Sequence, residues 1–399
     1  MHAGEKWVSG IVTGDRPRLD VVGRGVVLDS SDAVAVETLL SAWSRCRTSV
    51  PQQKDDLVLS AGDIHDYAYR YKPDALALRL TSVGIQAGRG RQVMLHAAAV
   101  SDDTGATVVL VGPSGRGKTT AAMHLARHRL GYVTDELVSI GPDGTVLPFP
   151  RPLLAGSESG EGGKSQHAPD DLGLRPCVAA LRLSRLVLLD RQPDAPTAPT
   201  AGPVPLFDGL MEVIAQSSSL NVLEQPLQRL CRLVDLCGGI LRLTYREIGD
   251  AEDLIVDLLR EPVSATPEWR DPGGHPTPEG SLAWGLMDGR VRRKSYRDAV
   301  QVGDEALLMI GDVPVLLTGI GLTIWTHATT APNFDELVSR VVAEHGPHPE
   351  ARRLVREAVA ALAGADVVGF GHPRPLVDAD AVLDGDLLPK PPQVPPHSP

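Results

Sequence analysis

Aromatic side chains and long apolar runs are scarce in this sequence of 399 residues. Only 4% of the residues are aromatic, so leucine, valine and alanine must build the hydrophobic cores. No run reaches the roughly 18 apolar residues that a membrane-spanning helix needs. The first residues also lack the apolar stretch of a secretory signal. We therefore expect a cytoplasmic protein with no membrane partner.

Positive charge and a zinc-type cysteine pattern are also lacking. The formal net charge is −11, whereas nucleic acids attract basic surfaces, so we expect no nucleic-acid partner. The cysteines form no C-x-x-C pair and have no histidines at zinc spacing. We expect scattered reduced thiols of a cytosolic protein at Cys46, Cys177, Cys231 and Cys237. Cys231 and Cys237 lie in one apolar helical stretch, so we expect these two to be packing residues.

The strongest chemical signal is the stretch G-P-S-G-R-G-K-T-T at residues 112–120. It satisfies the phosphate-loop (P-loop) pattern G-x-x-x-x-G-K-[ST]. An apolar, β-branched run at 107–111 precedes it and helix formers follow at 121–130, which is the strand–loop–helix context that the motif requires. The alternative is an ordinary glycine turn, but such a turn gives no reason for Lys-Thr at the helix start.

A P-loop binds phosphate because its backbone N–H groups converge on the phosphate oxygens at the positive end of the new helix. Lys118 is predicted to reach the β- and γ-phosphates, and the Thr119 hydroxyl to hold Mg²⁺. We therefore expect ATP and Mg²⁺ as cofactors. The residues predicted to contact the nucleotide are Gly112, Ser114, Gly115, Arg116, Gly117, Lys118, Thr119 and Thr120.

Two adjacent carboxylates, Asp135 and Glu136, interrupt a strand-like run at 131–140. Phosphoryl transfer needs hard oxygen ligands for Mg²⁺ and a residue that orients or deprotonates the acceptor hydroxyl. Adjacent side chains on a strand point to opposite faces, so both acids serve one site only at a strand end or an irregularity. We predict that Asp135 acts on the acceptor and that Glu136 holds Mg²⁺ with Thr119. The alternative is a surface pair at a strand terminus.

Several strings around the P-loop are similar in order and spacing to the HPr kinase/phosphorylase-like family, over about residues 75–260. They are L-H-A-A-A-V at 95–100, the P-loop itself, G-Y-V-T-D-E-L-V-S-I at 131–140 and P-F-P-R-P-L at 148–153. The resemblance implies an α/β P-loop domain with a mixed sheet, related to phosphoenolpyruvate carboxykinase. It matches Asp135 and Glu136 to the acid pair of the family, in which the first acid acts on the acceptor serine. It matches His96 to the family histidine, and a buried structural histidine is the alternative.

One family signature has no clear counterpart in this sequence. The E-x-R-G-x-G string of true HPr kinases is not recognisable, so neither HPr as the substrate nor a reversible phosphorylase activity is implied. Relatives with shorter motifs are kinases that tailor ribosomally made peptides. Arg151, in P-F-P-R-P-L, either reaches a phosphate or is a surface arginine between prolines.

The C-terminal part carries a second resemblance, to the PqqD family, over about residues 289–368. Three strand-like runs precede three helical stretches, which suggests a small winged-helix-like (β3α3) domain. The matching strings are V-Q-V-G-D-E-A-L-L-M at 300–309, L-L-T-G-I-G-L-T-I-W at 316–325 and N-F-D-E-L-V-S-R-V-V-A-E-H-G at 333–346.

Such domains recognise leader peptides, and an extended peptide would add to the exposed strand 313–317 and settle against the helix 351–362. The residues predicted to bind peptide are Val313, Val315, Leu317, Arg353 and Arg356. The alternative for the whole C-terminal domain is a dimerisation domain, which would make the protein a homo-oligomer. The alternative for the two arginines is a solvent-exposed helix face with no peptide contact.

The predicted organisation has five parts. They are an N-terminal accessory region (1–74), an HPr kinase-like ATP-binding domain (75–261), a Pro/Gly-rich linker (262–280), a PqqD-like domain (281–370) and a Pro-rich tail (371–399). The predicted function is an ATP-dependent kinase that phosphorylates a hydroxyl, in particular serine, on a precursor peptide recruited by the PqqD-like domain. Its predicted partners are that peptide or a peptide-modifying enzyme. The alternatives are a nucleotide-switched binding protein without transfer, and a kinase acting on free serine or a similar metabolite.

Overall fold

A computed structural model describes residues 16–70, 74–155, 165–263, 267–273, 282–284, 289–370 and 373–375. The strand-like run at 8–12, Lys164 in the Gly/Ser-rich loop, much of the predicted linker and most of the Pro-rich tail lie outside the described residues. By its contacts the chain divides into two compact units: Met1–Pro272 with Asp298–Leu316 (the first unit), and Gly273–Arg297 with Leu317–Pro399 (the second unit). The predicted domain boundaries stay a prediction.

Ten α-helices lie in the described ranges. They are α1 (Ala33–Ala42), α2 (Ala61–Tyr69), α3 (Ala75–Gly88), α4 (Lys118–His128), α5 (Leu206–Ala215), α6 (Pro226–Cys237), α7 (Glu252–Arg260), α8 (Gly319–His327), α9 (Phe334–His345) and α10 (Ala351–Gly364).

The strands of the first half are β1 (Arg18–Val21), β2 (Arg24–Leu28), β3 (Leu57–Leu59), β4 (Val93–Ser101), β5 (Ala106–Val111), β6 (Gly131–Thr134), β7 (Leu137–Ile140), β8 (Thr145–Leu147), β9 (Leu153–Ala155), β10 (Ser165–His167) and β11 (Leu181–Arg191). Those of the second half are β12 (Thr200–Val204), β13 (Ser217–Ser218), β14 (Ile240–Tyr245), β15 (Leu282–Trp284), β16 (Val291–Arg293), β17 (Asp298–Val302), β18 (Glu305–Ile310), β19 (Val313–Thr318), β20 (Val368–Phe370) and β21 (Pro373–Pro375).

The first unit is built on a mixed sheet in the order β12-β14-β11-β5-β4-β7-β8. Strands β14, β11 and β5 are parallel to one another. The pairs β12–β14, β4–β5, β4–β7 and β7–β8 are antiparallel. Strands β6 and β13 also pair with β4. The prediction of an α/β protein with a mixed sheet is confirmed.

Helices cover both faces of this sheet, which explains why the P-loop strand is apolar at nearly every position. Side chains of β5 alternate between the faces: Val108 and Leu110 pack with α4 and α7. Val109 and Val111 pack with α5 and α6 on the other face. The carboxyl end of β5 is thereby fixed on both sides, directly before residue 112.

A smaller sheet, β1-β2-β3, belongs to the same unit. Its strands, α1 and α3 form a hydrophobic cluster that includes residues of β4 and β7. Trp43 and Phe149 meet in this cluster, with ring centroids 6.1 Å apart. The N-terminal region therefore shares a core with strands that border the candidate site.

Two segments with the composition of loops contain strands. The Pro/Ala/Thr-rich segment at 191–205 includes β12, which pairs antiparallel with β14 at the sheet edge. Pro203 makes this strand hard to recognise in the sequence, because proline cannot donate a ladder hydrogen bond and is tolerated only where a strand has a free side. In the Gly/Ser-rich segment at 155–171, β10 pairs with β9.

Residues 298–310 form strands that belong to the first unit. Strands β17, β18 and β19 form a three-stranded sheet in that order, in which β17 and β18 pair antiparallel. Val300, Leu307 and Met309 pack in the same hydrophobic cluster as α6.

The second unit contains α8, α9, α10 and the antiparallel pair β16–β20. Helix α9 begins with a capping box, in which Asn333 and Glu336 accept each other's backbone N–H. Trp325 is buried, as expected of a core residue, and the Arg293 guanidinium lies 3.5 Å from its ring centroid. No described helix, in either unit, has the length and apolarity that a membrane crossing demands.

Candidate active site

The P-loop has the backbone that phosphate binding requires. Gly115 and Gly117 adopt φ values of +82° and +86°, which only glycine adopts without strain. Helix α4 then begins at Lys118 with Gly117 as its N-cap. Since glycine has no side chain to accept the first N–H groups, the positive end of α4 is left to an outside anion.

Lys118 lies folded across the loop. Its Nζ donates to the carbonyl oxygens of Gly112 at 2.6 Å and Pro113 at 3.3 Å. Burial lowers the pKa of Lys118, while the nearby Glu136 and Asp135 carboxylates act to raise it. The two carboxylates favour the charged form of Lys118, which is the form that binds phosphate.

The acid pair lies at the strand irregularity that the sequence required. Strand β6 ends at Thr134, the chain bends at Asp135 and Glu136, and β7 begins at Leu137. Both strands pair with β4, so the bend is held at its two ends. This geometry allows two adjacent carboxylates to reach one site.

Asp135 is buried near the N-terminal end of α4, the helix that follows the P-loop. Its Oδ1 accepts a hydrogen bond of 3.0 Å from the Tyr132 hydroxyl. Burial raises the pKa of Asp135; the positive charge of Arg151 and hydrogen bonds from Tyr132 and Thr119 oppose that rise without cancelling it. The contact with Thr119 places a carboxylate beside the hydroxyl predicted to hold Mg²⁺.

The pKa of Glu136 is shifted in the opposite direction. Burial alone would raise it, but a hydrogen bond from His96 and the charges of Arg151, His96 and Lys118 lower it overall. The His96 Nδ1 lies 3.0 Å from Glu136 Oε1. The structure therefore brings His96, Lys118, Thr119, Asp135 and Glu136 into one cluster.

Arg151 is buried and connects the two acids. Its Nε lies 3.6 Å from Asp135 Oδ1, and its Nη1 lies 3.8 Å from Glu136 Oε2. The backbone carbonyl of Arg151 also accepts a bond of 3.3 Å from the Tyr132 hydroxyl. Arg151 is therefore a buried residue of the site and not a surface arginine between prolines.

Two residues of this region carry no sequence signal that we used. Tyr132 lies three positions before Asp135, and only the bend turns the two side chains toward each other. Asp190 follows four apolar residues on β11, and β11 is the parallel neighbour of the P-loop strand β5. The pattern of four apolar residues followed by Asp could have identified this acid from the sequence. Its Oδ2 accepts a bond of 2.6 Å from the Gln192 side chain.

The donor set around the P-loop fits ATP and Mg²⁺. Hard oxygens of Thr119, Asp135 and Glu136 suit Mg²⁺, and the N–H groups at the start of α4 with Lys118 suit phosphates. Of the other predicted nucleotide contacts, Ser114, Gly115, Arg116 and Thr120 are exposed, while Gly112 is buried and Gly117 half-buried.

The predicted peptide-binding residues belong to β19 and α10. On β19, Val313 is 61% exposed, Val315 is half-buried and Leu317 is buried. On α10, Arg353 pairs with Glu350 at 2.6 Å and Glu357 at 2.8 Å. The guanidinium of Arg356 lies 5.5 Å from the ring centroid of Phe334.

Comparison with known proteins adds little to these observations. No protein-family model matches the chain, and no curated protein matches it. Among solved structures, the Hpr(Ser) kinase/phosphatase from Coxiella burnetii matches with 14% sequence identity, over 42% of this chain and 93% of that chain. The TM-score is 0.22, which is too low to establish a shared fold.

Proposed function

We propose that this chain is an ATP-dependent kinase that phosphorylates a serine hydroxyl on a ribosomally made precursor peptide. One observation carries the proposal: Asp135 is buried between the Tyr132 hydroxyl at 3.0 Å and the Arg151 guanidinium at 3.6 Å, and burial there raises its pKa. A carboxylate with a raised pKa next to a phosphate site suits general-base catalysis.

In the proposed reaction, the acceptor oxygen forms a bond to the γ-phosphorus and the bond from that phosphorus to the ADP oxygen breaks. Asp135 takes the hydroxyl proton, and Lys118 with the loop N–H groups stabilises negative charge on the transferred group. Thr119 and Glu136 would hold Mg²⁺, which neutralises phosphate charge when bound. His96 fixes Glu136 through the hydrogen bond described above.

Peptide recruitment is the second part of the proposal. Strand β19 pairs with β18 on one side, and an extended leader peptide would add its main-chain hydrogen bonds on the other side. Val313 and Leu316, which are 61% and 41% exposed, offer apolar contacts along the strand. Recruitment by a PqqD-like domain would raise the effective concentration of the acceptor segment.

The test is transfer from γ-labelled ATP by the wild-type chain and by Asp135→Asn, with a precursor peptide or free serine as acceptor. We expect label on the peptide, a loss of about 10²–10⁴-fold in the variant, and nearly unchanged ATP affinity. The matched control is Asp103→Asn, since Asp103 is an exposed acid with 84% of its side chain accessible.

Three outcomes would overturn the proposal. Phosphopeptide formation that persists in Asp135→Asn would remove the assigned base. Label on free serine but not on peptide would indicate a small-molecule kinase. ATP binding without label on either acceptor would indicate a nucleotide-switched binding protein.

A further inference from the structure

Three metal-binding side chains converge where α4 meets α7, away from the acid pair. His124 and His128 lie one helical turn apart on the same face of α4, and Glu252 is the first residue of α7. His124 Nε2 lies 3.0 Å and His128 Nδ1 lies 3.3 Å from the same atom, Glu252 Oε2. All three donor atoms lie within 4.8 Å of one another.

We propose that this cluster, the α4–α7 site, binds a divalent transition-metal ion of the Zn²⁺ type. Two imidazoles and one carboxylate are typical ligands of Zn²⁺ and Co²⁺, whereas Mg²⁺ prefers oxygen ligands alone. Ligands of a tetrahedral zinc ion lie about 3.3 Å apart, given bonds of roughly 2.0–2.1 Å. The observed separations of 3.0 and 3.3 Å match that spacing.

The surroundings hold the three ligands in this arrangement. A Cβ atom at Gly249 would lie 3.3 Å from His124 Cε1, so glycine there leaves room for the imidazole. Arg129, directly after α4, also pairs with Asp253 on α7 at 3.1 Å. Helices α4 and α7 pack in one hydrophobic cluster, which brings the two helix ends together without an ion.

The site is open enough for an ion to enter. The side chain of His128 is 52% exposed, that of His124 is 28% exposed and that of Glu252 is 14% exposed. An ion held by these three groups would keep a further coordination position for water. The rival interpretation is two hydrogen bonds from neutral imidazoles to one carboxylate oxygen, with no ion.

A metal here would act on the helix that carries the P-loop. Lys118 and Thr119 open α4, and His124 follows little more than one turn later. An ion shared with Glu252 would link α4 to α7, both of which pack on the same face of the central sheet. This role concerns the stability of the scaffold and does not depend on phosphoryl transfer.

The experiment titrates the chelator-treated full chain with Co²⁺ and Zn²⁺ in excess Mg²⁺. We expect one equivalent of Co²⁺ with visible absorption, and a Tm about 5 °C higher in saturating Zn²⁺. His128→Gln and Glu252→Gln, which retain hydrogen-bonding groups, should each weaken metal binding at least about tenfold. His65→Gln is the control, because His65 is a half-exposed histidine outside the cluster.

Three results would overturn the inference. The first is the absence of stoichiometric Co²⁺ binding to the wild-type chain. The second is equal affinity in the wild type, His128→Gln and Glu252→Gln, which would place the ion elsewhere. The third is loss of the Co²⁺ spectrum in Asp135→Asn, which should keep it; such a loss would assign the ion to the candidate active site. Circular dichroism without metal verifies that each variant is folded.

Discussion

At the residue scale, the surroundings of the adjacent acids Asp135 and Glu136 shift their pKa values in opposite directions. Burial dominates at Asp135 and raises its pKa, whereas His96 and nearby positive charge lower the pKa of Glu136. Neighbouring groups whose pKa values are moved apart commonly divide acid–base and electrostatic roles between them. This separation agrees with the proposed roles of Asp135 as the base and Glu136 as a metal ligand, because a lowered pKa favours the charged carboxylate.

Arg151 controls this balance, because its positive charge opposes the raised pKa of Asp135. A base accepts a proton only when ionised, so the rate of transfer falls as pH falls through the pKa of Asp135. Arg151→Gln removes the opposing charge and raises that pKa further. We therefore expect the acid limb of the pH–rate profile to move up by roughly 1 pH unit, measured as initial rates of labelled transfer.

The control for this prediction is a buried arginine outside the site. Arg185 is likewise buried, and its Nη2 donates a hydrogen bond of 2.6 Å to the backbone carbonyl oxygen of Glu261. Arg185→Gln should lower thermal stability without moving the acid limb. A profile that stays in place in Arg151→Gln, or that moves downward, would contradict the assignment of Asp135 as the base.

At the element scale, the sequence predicts what depends on local signals. The P-loop and the strand before it follow from residues next to each other in the chain. The contact of His96 with Glu136 depends on the pairing of β4 with β7, which no local pattern encodes. Tyr132 contacts Asp135 only because the chain bends after β6. Strand β12 is hard to predict from the sequence, because its proline is acceptable only in an edge strand.

Strand β6 positions the acid pair, and its first residue is closely surrounded by backbone. A Cβ atom at Gly131 would lie 2.6 Å from Cys177 Cα and 2.7 Å from the Pro176 carbonyl oxygen. Backbone atoms cannot move aside as a flexible side-chain end can, so Gly131→Ala must displace β6 or the segment 175–177. We expect a loss of about 1–3 kcal/mol in the free energy of unfolding and reduced transfer.

Denaturant unfolding and labelled transfer measure the two effects. Gly202→Ala is the matched control, because Gly202 also lies in a strand of the central sheet and a Cβ atom there would meet nothing within 4 Å. The control should change stability little. Equal effects of the two substitutions would show that the crowding at Gly131 does not hold β6 in place.

At the scale of the whole molecule, the question is whether peptide binding and transfer are separable functions of one chain. The acid pair and the P-loop belong to the first unit, and so do the exposed positions of β19, Val313 and Leu316. Leu317, which begins the next segment of the second unit, is buried. The proposed peptide recruitment would therefore use the exposed positions of β19, which is the last strand of its three-stranded sheet.

Val313→Glu tests this separation, because it replaces an exposed apolar side chain with a charged one that cannot make an apolar contact with a leader peptide. We expect the KM for the full precursor to rise about tenfold, while the KM for ATP and the rate with a leaderless acceptor stay the same. Val58→Glu is the matched control, since Val58 is 42% exposed on β3, at the edge of another sheet. If Val313→Glu slows the leaderless acceptor equally, β19 serves the fold or the transfer step and not recruitment.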